Sequence, residues 1–170
     1  LLRWVRVADR HGCILLAPHF DEKLFGNDYQ RLNLSGLRAD LRLDDLVEAI
    51  SVLLPGVDAK KVRMFGFSGG GQFAHRYALF HPERVDRVVV GAPGWYTWPD
   101  SRLPYPVGVA SESIPEGLSP QFSELAQLKL LLLVGRDDRS QGSFRERYGR
   151  YDLRSLQGRG RKDRAENWFA

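Results

Sequence analysis

The sequence contains one cysteine, Cys13, so an internal disulfide is impossible. Cys13 lies in an apolar run, and we expect it to be a buried structural thiol. The longest apolar run covers residues 130–134, which is the length of a strand and far too short to cross a membrane. No His, Cys and Asp residues share a metal-ligand spacing, so we expect neither a metal nor an organic cofactor. What remains is an ordinary globular composition, with 43% hydrophobic and 27% charged residues.

The chain also lacks a starting methionine and the pattern of a signal peptide. We therefore expect these 170 residues to form one domain that begins inside a longer protein, and a cytoplasmic location is favoured. The sequence indicates no membrane segment and leaves the oligomeric state open.

The net charge of +4 has a local origin. Residues 136–164 hold nine Arg and one Lys against five acidic residues. A basic patch of this kind can bind nucleic acid or an acidic surface. Because acids are interspersed and aromatic residues do not alternate with the arginines, we expect a solvated helix face and no nucleic-acid partner.

Apolar periodicity predicts strands that alternate with helices, which is typical of a parallel sheet covered on both faces. The predicted fold is therefore a three-layer α/β/α sandwich with a mainly parallel sheet. Strands are expected at Cys13–Ala17, from Val62, at Arg87–Gly91 and at 130–134, and helices at Leu1–Arg10, Asp40–Leu54 and Gly71–Phe80.

A long segment without strong periodicity, residues 92–129, separates the third and fourth predicted strands. Loops of this length are usually functional or mobile. Trp95, Tyr96 and Trp98 follow the carboxyl end of a predicted strand, so we expect a cap or pocket wall for an apolar substrate. The alternative is an ordinary insertion whose aromatic side chains pack onto the sheet.

Ser68 is the strongest candidate for a catalytic residue. It lies in Gly66-Phe67-Ser68-Gly69-Gly70, between the strand from Val62 and the helix from Gly71. A serine at a sharp strand-to-helix turn is how parallel α/β proteins present a nucleophile, and we expect a Cβ two residues before or after it to collide with its neighbours. Chance alone produces a Gly-x-Ser-x-Gly motif in this chain with a probability of roughly 0.1. The assignment of Ser68 as a nucleophile therefore depends on the flanking strand and helix. The alternative is a glycine-rich turn that binds phosphate.

A carboxylate that could orient a catalytic histidine follows the last predicted strand. Asp138 is our first choice and Asp137 the second, although a pair of turn-forming aspartates is the alternative. No histidine follows Asp138 in the chain. His75 lies about 10 Å from Ser68 along the predicted helix, and His19 follows a strand at the correct edge, where it could line the pocket. His11 and His81 precede strands and belong at the opposite edge.

These segments together resemble the α/β-hydrolase family, and more loosely bacterial esterases akin to polyhydroxyalkanoate depolymerases. The resemblance is carried by the Ser68 turn, "CILLAP", "RVVVGAPG" and "LLLLVGRDD", with weaker likeness in "LLAPHFDEKLFGNDYQRLN" and "LQGRGRKDRAENWF". It implies Ser68 as nucleophile, Asp138 as acid and the Gly69 N–H as an oxyanion donor. The family's oxyanion loop and histidine would lie outside this chain, which would then lack the N-terminal strands and the C-terminal strand.

The resemblance implies a serine hydrolase that cleaves a small-molecule carboxylic ester through an acyl-enzyme on Ser68. A peptidase or thioesterase of the same fold is an alternative, since all three form the same kind of acyl-enzyme. A non-catalytic α/β binding protein with a vestigial Ser68 is the alternative from another class.

Overall fold

The computed structural model describes residues 2–26, 28–32, 37–138 and 147–170. Its centre is a three-stranded parallel sheet in the order β1-β2-β3. The strands are β1 (Val62–Phe67), β2 (Val85–Gly91) and β3 (Lys129–Leu133), and a short antiparallel hairpin joins β4 (Arg147–Tyr148) to β5 (Tyr151–Asp152). The helices are α1 (Leu2–Arg10), α2 (Glu22–Phe25), α3 (Ala39–Leu53), α4 (Gly69–Phe80), α5 (Phe122–Gln127), α6 (Leu153–Gln157) and α7 (Arg161–Phe169).

Helices lie on both sides of the sheet, as the sequence predicts. Helix α4 packs on one face, where Phe73, Tyr77 and Phe80 are buried in the main core. Side chains alternate between faces along a strand, so Phe65 points away from α4 and meets Trp4 of α1 at 5.2 Å between ring centroids. The predicted strand–turn–helix around Ser68 is thereby confirmed. No described helix is both long enough and apolar enough to cross a membrane.

Helix α3 joins the α4 side of the sheet through its first turn. The buried Asp40 carboxylate accepts hydrogen bonds from Arg38 and from His81, which follows α4. Burial raises the pKa of Asp40, but these two hydrogen bonds outweigh it and bring the pKa down to about 2. Asp40 therefore remains charged at neutral pH and ties α3 to the end of α4.

The segment after β2 is ordered by contacts with the end of the chain. Arg164 of α7 is fully buried, and its guanidinium donates to the carbonyls of Gly94 at 2.6 Å and Gly158 at 2.9 Å. The prediction of a solvated basic face is therefore wrong at Arg164, because its guanidinium is buried and hydrogen-bonded to backbone carbonyls. Residues 139–146 of that basic stretch, like Leu1 of the first predicted helix, lie outside the described residues.

The predicted strand at Cys13–Ala17 is absent from the structure. Gly12 has a φ of 57° and ends α1, and the Cys13 N–H then donates to Ala8 of α1. The following residues run past β1 without ladder hydrogen bonds, and Ile14 is 46% exposed. Cys13 itself is exposed, with its sulfur 3.8 Å from an Arg63 nitrogen, so the prediction of a buried thiol is wrong as well. An apolar run becomes a buried strand only where neighbouring strands and helices cover it.

Candidate active site

Ser68 occupies the sharp turn between β1 and α4. Its backbone has φ 54° and ψ −114°, a combination that is rare for a residue with a side chain. The Ser68 N–H donates to Gly91 of β2 at 2.8 Å, and its carbonyl accepts the Gln72 N–H at 3.0 Å. The side chain is exposed and its hydroxyl makes no hydrogen bond with any described residue. The turn therefore presents this hydroxyl at the carboxyl edge of the sheet, where parallel α/β proteins place their sites.

Glycines around Ser68 permit close approach of three backbone segments. A Cβ on Gly66 would lie 2.1 Å from the Gly70 oxygen, and one on Gly71 would lie 2.8 Å from the Gly91 oxygen. An added Cβ on Gly70, in contrast, would meet no atom within 4 Å. The prediction of a collision two residues on either side of Ser68 is thus correct for Gly66 and wrong for Gly70, because Gly70 faces open space.

The carboxyl ends of all three parallel strands are joined directly. The N–H of Ser68 bonds to the last residue of β2, and the N–H of Ala92 bonds to Leu133, the last residue of β3, at 2.7 Å. Ala92 has a positive φ of 40°, so two non-glycine residues at this edge hold unusual backbone angles. Such residues concentrate at functional sites, and these two directly follow the neighbouring strands β1 and β2.

Asp138 lies in the loop after β3, at the same edge of the sheet as Ser68. Its half-buried carboxylate is 3.3 Å from the Arg161 guanidinium of α7, and its N–H bonds to Gly135. Asp137 is exposed. Of the two candidate acids, Asp138 is therefore the one that the surrounding structure holds in place.

None of the four histidines bonds to Asp138 or to Ser68. His75 is fully buried: Nδ1 lies 3.2 Å from the Gly71 carbonyl and Nε2 accepts the Thr97 N–H at 3.1 Å. A ring that donates through Nδ1 and accepts through Nε2 is neutral, and burial lowers the pKa of His75 well below its usual value. His81 bonds to Asp40, whereas His11 and His19 are exposed.

The predicted pocket aromatics are divided between the interior and the surface. Trp95 is 3% and Tyr96 1% exposed; Tyr96 stacks on Trp168 of α7, and Trp95 lies under the Arg76 guanidinium at 4.4 Å. Trp98 lines a cavity of about 230 Å³ with Pro99, Asp100, Leu103 and Leu156, whereas a cavity of about 390 Å³ lies between α5, β3 and α7. Ser68 borders neither of these two cavities, so the pocket role of the aromatic residues and of His19 stays a prediction.

Tyr29, which the sequence did not single out, lies close to Gly69, the residue after Ser68. The Tyr29 hydroxyl, in a turn of 3₁₀ helix at Tyr29–Arg31, is 2.8 Å from the point that a Cβ on Gly69 would occupy. Arg76 of α4 holds this turn by donating to the Gln30 carbonyl at 2.7 Å. No sequence pattern connects residues so far apart in the chain.

Within the described ranges, no group of three or more His, Cys, Asp or Glu side chains is placed to hold a metal ion.

This combination of a parallel sheet and a strained serine between strand and helix defines an α/β protein of hydrolase type. A family model for the alpha/beta hydrolase fold matches residues 12–170, and the chain belongs to this family. No curated protein matches the sequence significantly.

Two solved structures share the fold. One is a poly(3-hydroxybutyrate) depolymerase from Bordetella parapertussis, with 24% identity and a TM-score of 0.73. The other is a poly(aspartic acid) hydrolase from Sphingomonas sp. KT-1, with 22% identity and a TM-score of 0.74. Each match covers 98% of this chain but only 59% of the depolymerase and 65% of the poly(aspartic acid) hydrolase. This chain is thus similar to a little under two thirds of either enzyme.

Proposed function

We propose that this protein is a serine hydrolase that cleaves carboxylic esters through an acyl-enzyme on Ser68. The observation that supports this most strongly is the backbone of Ser68, with φ 54° and an exposed hydroxyl between β1 and α4. That conformation costs free energy of order 1–3 kcal/mol and persists only where the surrounding structure enforces it. A strained strand-to-helix turn of this kind is suited to presenting a nucleophile above the sheet.

The reaction follows from the groups at the sheet edge. The Ser68 oxygen attacks the acyl carbon, and the carbonyl oxygen takes the electron pair while a histidine accepts the serine proton. The Gly69 N–H, the first of α4, donates to the oxyanion. Collapse of the intermediate expels the alcohol, which takes the proton from the histidine, and water then releases the acid.

We place the base on a histidine outside residues 1–170. Both ring nitrogens of the buried His75 are hydrogen-bonded, and His81 is bound to Asp40 through Nε2. Asp138 would orient that histidine, sharing its carboxylate with Arg161. His19 is the alternative base, since it is exposed and its neighbour Phe20 contacts Phe73 of α4.

The proposal leaves open whether the bond cleaved is an ester, an amide or a thioester. One structural neighbour is named for a polyester and the other for poly(aspartic acid), whose backbone is an amide. Amide or thioester cleavage is therefore the second candidate, with the same nucleophile and intermediate. A panel of matched oxygen esters, thioesters and anilides with one acyl group would rank the three leaving groups.

The decisive test is covalent labelling of the longest natural form of the protein that contains residues 1–170. A fluorophosphonate probe should modify Ser68 with near-complete stoichiometry, as mapped by peptide mass spectrometry. Ser68→Ala should abolish both labelling and ester hydrolysis, whereas Ser123→Ala, on the exposed face of α5, should leave both unchanged. A non-catalytic binding protein would show no labelling, and that outcome would refute the proposal.

A further inference from the structure

The Tyr29 side chain approaches the backbone at Gly69. Its hydroxyl oxygen lies 2.8 Å from the Cβ position of Gly69, whereas the nearest Gln30 atoms are 3.5 Å from that position. Gly69 follows Ser68 directly and supplies the N–H that we assign to the oxyanion. The phenol and that N–H therefore lie beside the same small volume.

A rigid aromatic platform holds Tyr29 in this position. Its ring stacks on Phe20 at 5.1 Å with an interplanar angle of 17°, and it lies 6.3 Å from the ring of Phe73 in α4. The Arg76 guanidinium fixes the next residue through the Gln30 carbonyl, and the Tyr105 hydroxyl donates to the carbonyl of Arg31. The turn is thus tied to the core through the two residues after Tyr29 and through the ring of Tyr29 itself, so the phenol is positioned before substrate arrives.

The hydrogen bonding and the protonation state of the Tyr29 hydroxyl bear on its role. It makes no hydrogen bond with any residue in the described ranges, although the ring is half-buried. Burial raises the pKa of Tyr29 above its usual value, so the group stays protonated at neutral pH. A protonated O–H that is held in place and has no acceptor among the described residues can donate a hydrogen bond to a bound substrate.

We propose that the Tyr29 hydroxyl donates a hydrogen bond to the carbonyl oxygen of the acyl group on Ser68. This inference rests on the proposed function, and it makes Tyr29 a catalytic residue beside the Gly69 N–H. When the Ser68 oxygen bonds to the acyl carbon, the π electrons move to the carbonyl oxygen. The phenol donates to that oxygen without transferring its proton, and the same hydrogen bond weakens when the carbonyl re-forms and the alcohol leaves.

The first experiment measures ester hydrolysis by Tyr29→Phe in the longest natural form of the protein. Removal of one oxyanion donor costs a factor of about 10²–10³ in kcat, and KM should change by less than about threefold. Tyr151→Phe is the matched control, because the Tyr151 hydroxyl lies at the surface and bonds only to Arg150 among the described contacts. It should behave as the wild type does.

A second measurement separates this inference from the proposed function. The Tyr29→Phe enzyme should still be labelled at Ser68 by the fluorophosphonate to full stoichiometry, but more slowly, and it should bind a trifluoromethyl ketone more weakly in proportion to its loss of kcat/KM. Failure of Ser68 labelling in the wild type would overturn the proposed function. Full labelling with an unchanged kcat in Tyr29→Phe would overturn only the role of Tyr29.

A pair of variants tests the position of the hydroxyl independently of activity. Gly69→Ala places a Cβ against this oxygen, so it should lower the midpoint of thermal unfolding, and Tyr29→Phe should restore part of that loss in the double variant. Strictly additive effects would mean that the hydroxyl does not lie beside Gly69, and the inference would fall. Loss of kcat in Tyr29→Phe accompanied by unfolding would likewise count against a catalytic role.

Discussion

Substitution of the two glycines that flank Ser68 should have effects of opposite sign. Gly66 and Gly70 occupy equivalent places in the Gly-x-Ser-x-Gly motif, yet their surroundings differ. A Cβ on Gly66 would lie 2.1 Å from the Gly70 oxygen, 2.5 Å from its carbonyl carbon and 2.9 Å from the Ala74 Cβ. A Cβ on Gly70 would meet nothing within 4 Å.

The magnitudes follow from these contacts. A non-bonded oxygen and carbon normally stay roughly 3.2 Å apart, so the backbone in Gly66→Ala must move by about 1 Å. The clashing atoms belong to the main chain, so a change of side-chain rotamer cannot relieve the contact. Overpacking typically costs 1–3 kcal/mol, and a clash with main-chain atoms belongs at or above the upper end of that range, about 3 kcal/mol. Gly70→Ala lies in the first turn of α4 with free space around it, so lower backbone entropy in the unfolded chain should stabilise by about 0.5–1 kcal/mol.

Denaturant unfolding of the two variants and the wild type provides the measurement, with the m-value checked for each. Ester hydrolysis measured alongside should fall sharply in Gly66→Ala, because the shift of α4 changes the angles of Ser68. Equal destabilisation by the two substitutions would refute the reasoning, since it would mean that the motif tolerates neither Cβ and that the free space at Gly70 does not exist in solution.

Three further predictions follow from the site. Asp138→Asn should lower kcat by about 10⁴ by misorienting the histidine, whereas Asp137→Asn should be mild; the reverse order would move the acid to Asp137. The wild type should lose stability relative to His75→Gln as pH falls below 6.5, by about 1.4 kcal/mol per pH unit, because unfolded His75 takes up a proton and the buried, neutral ring does not; parallel stability curves would contradict this. Residues 1–170 alone should hydrolyse p-nitrophenyl esters at barely more than background, and robust turnover that depends on Ser68 would make His19 the base.

The elements around Ser68 were predictable from local pattern. The helix expected at Asp40–Leu54 forms at Ala39–Leu53, and the strand expected at 130–134 forms at Lys129–Leu133. The helix carries a periodic apolar face, and the strand is a continuous apolar run whose Leu130 and Leu132 pack against the core, so the residues within each element determine its type.

The features of the fold and the site that could not be predicted depend on contacts between residues far apart in the chain. The run at Cys13–Ala17 has a strand's composition, but it finds no ladder partner in the described structure. The contacts of Trp95 with Arg76 and of Tyr96 with Trp168 likewise join residues far apart in the chain. Tyr29 and Gly69 are 40 residues apart in sequence and meet only in the folded chain. A single sequence contains no pattern that predicts such a contact.

The two hydrogen bonds that join Ser68 to Gly91 and Ala92 to Leu133 have a consequence for directed evolution. Both bonds join main-chain atoms of residues at the strand ends, and no side chain of residues 98–121 takes part in them. Libraries that randomise the surface of residues 98–121 should therefore retain a correctly placed nucleophile in a large share of their members. We expect selection for new acyl or leaving groups to succeed there more often than in α4, whose every side chain from Gln72 to Phe80 is buried.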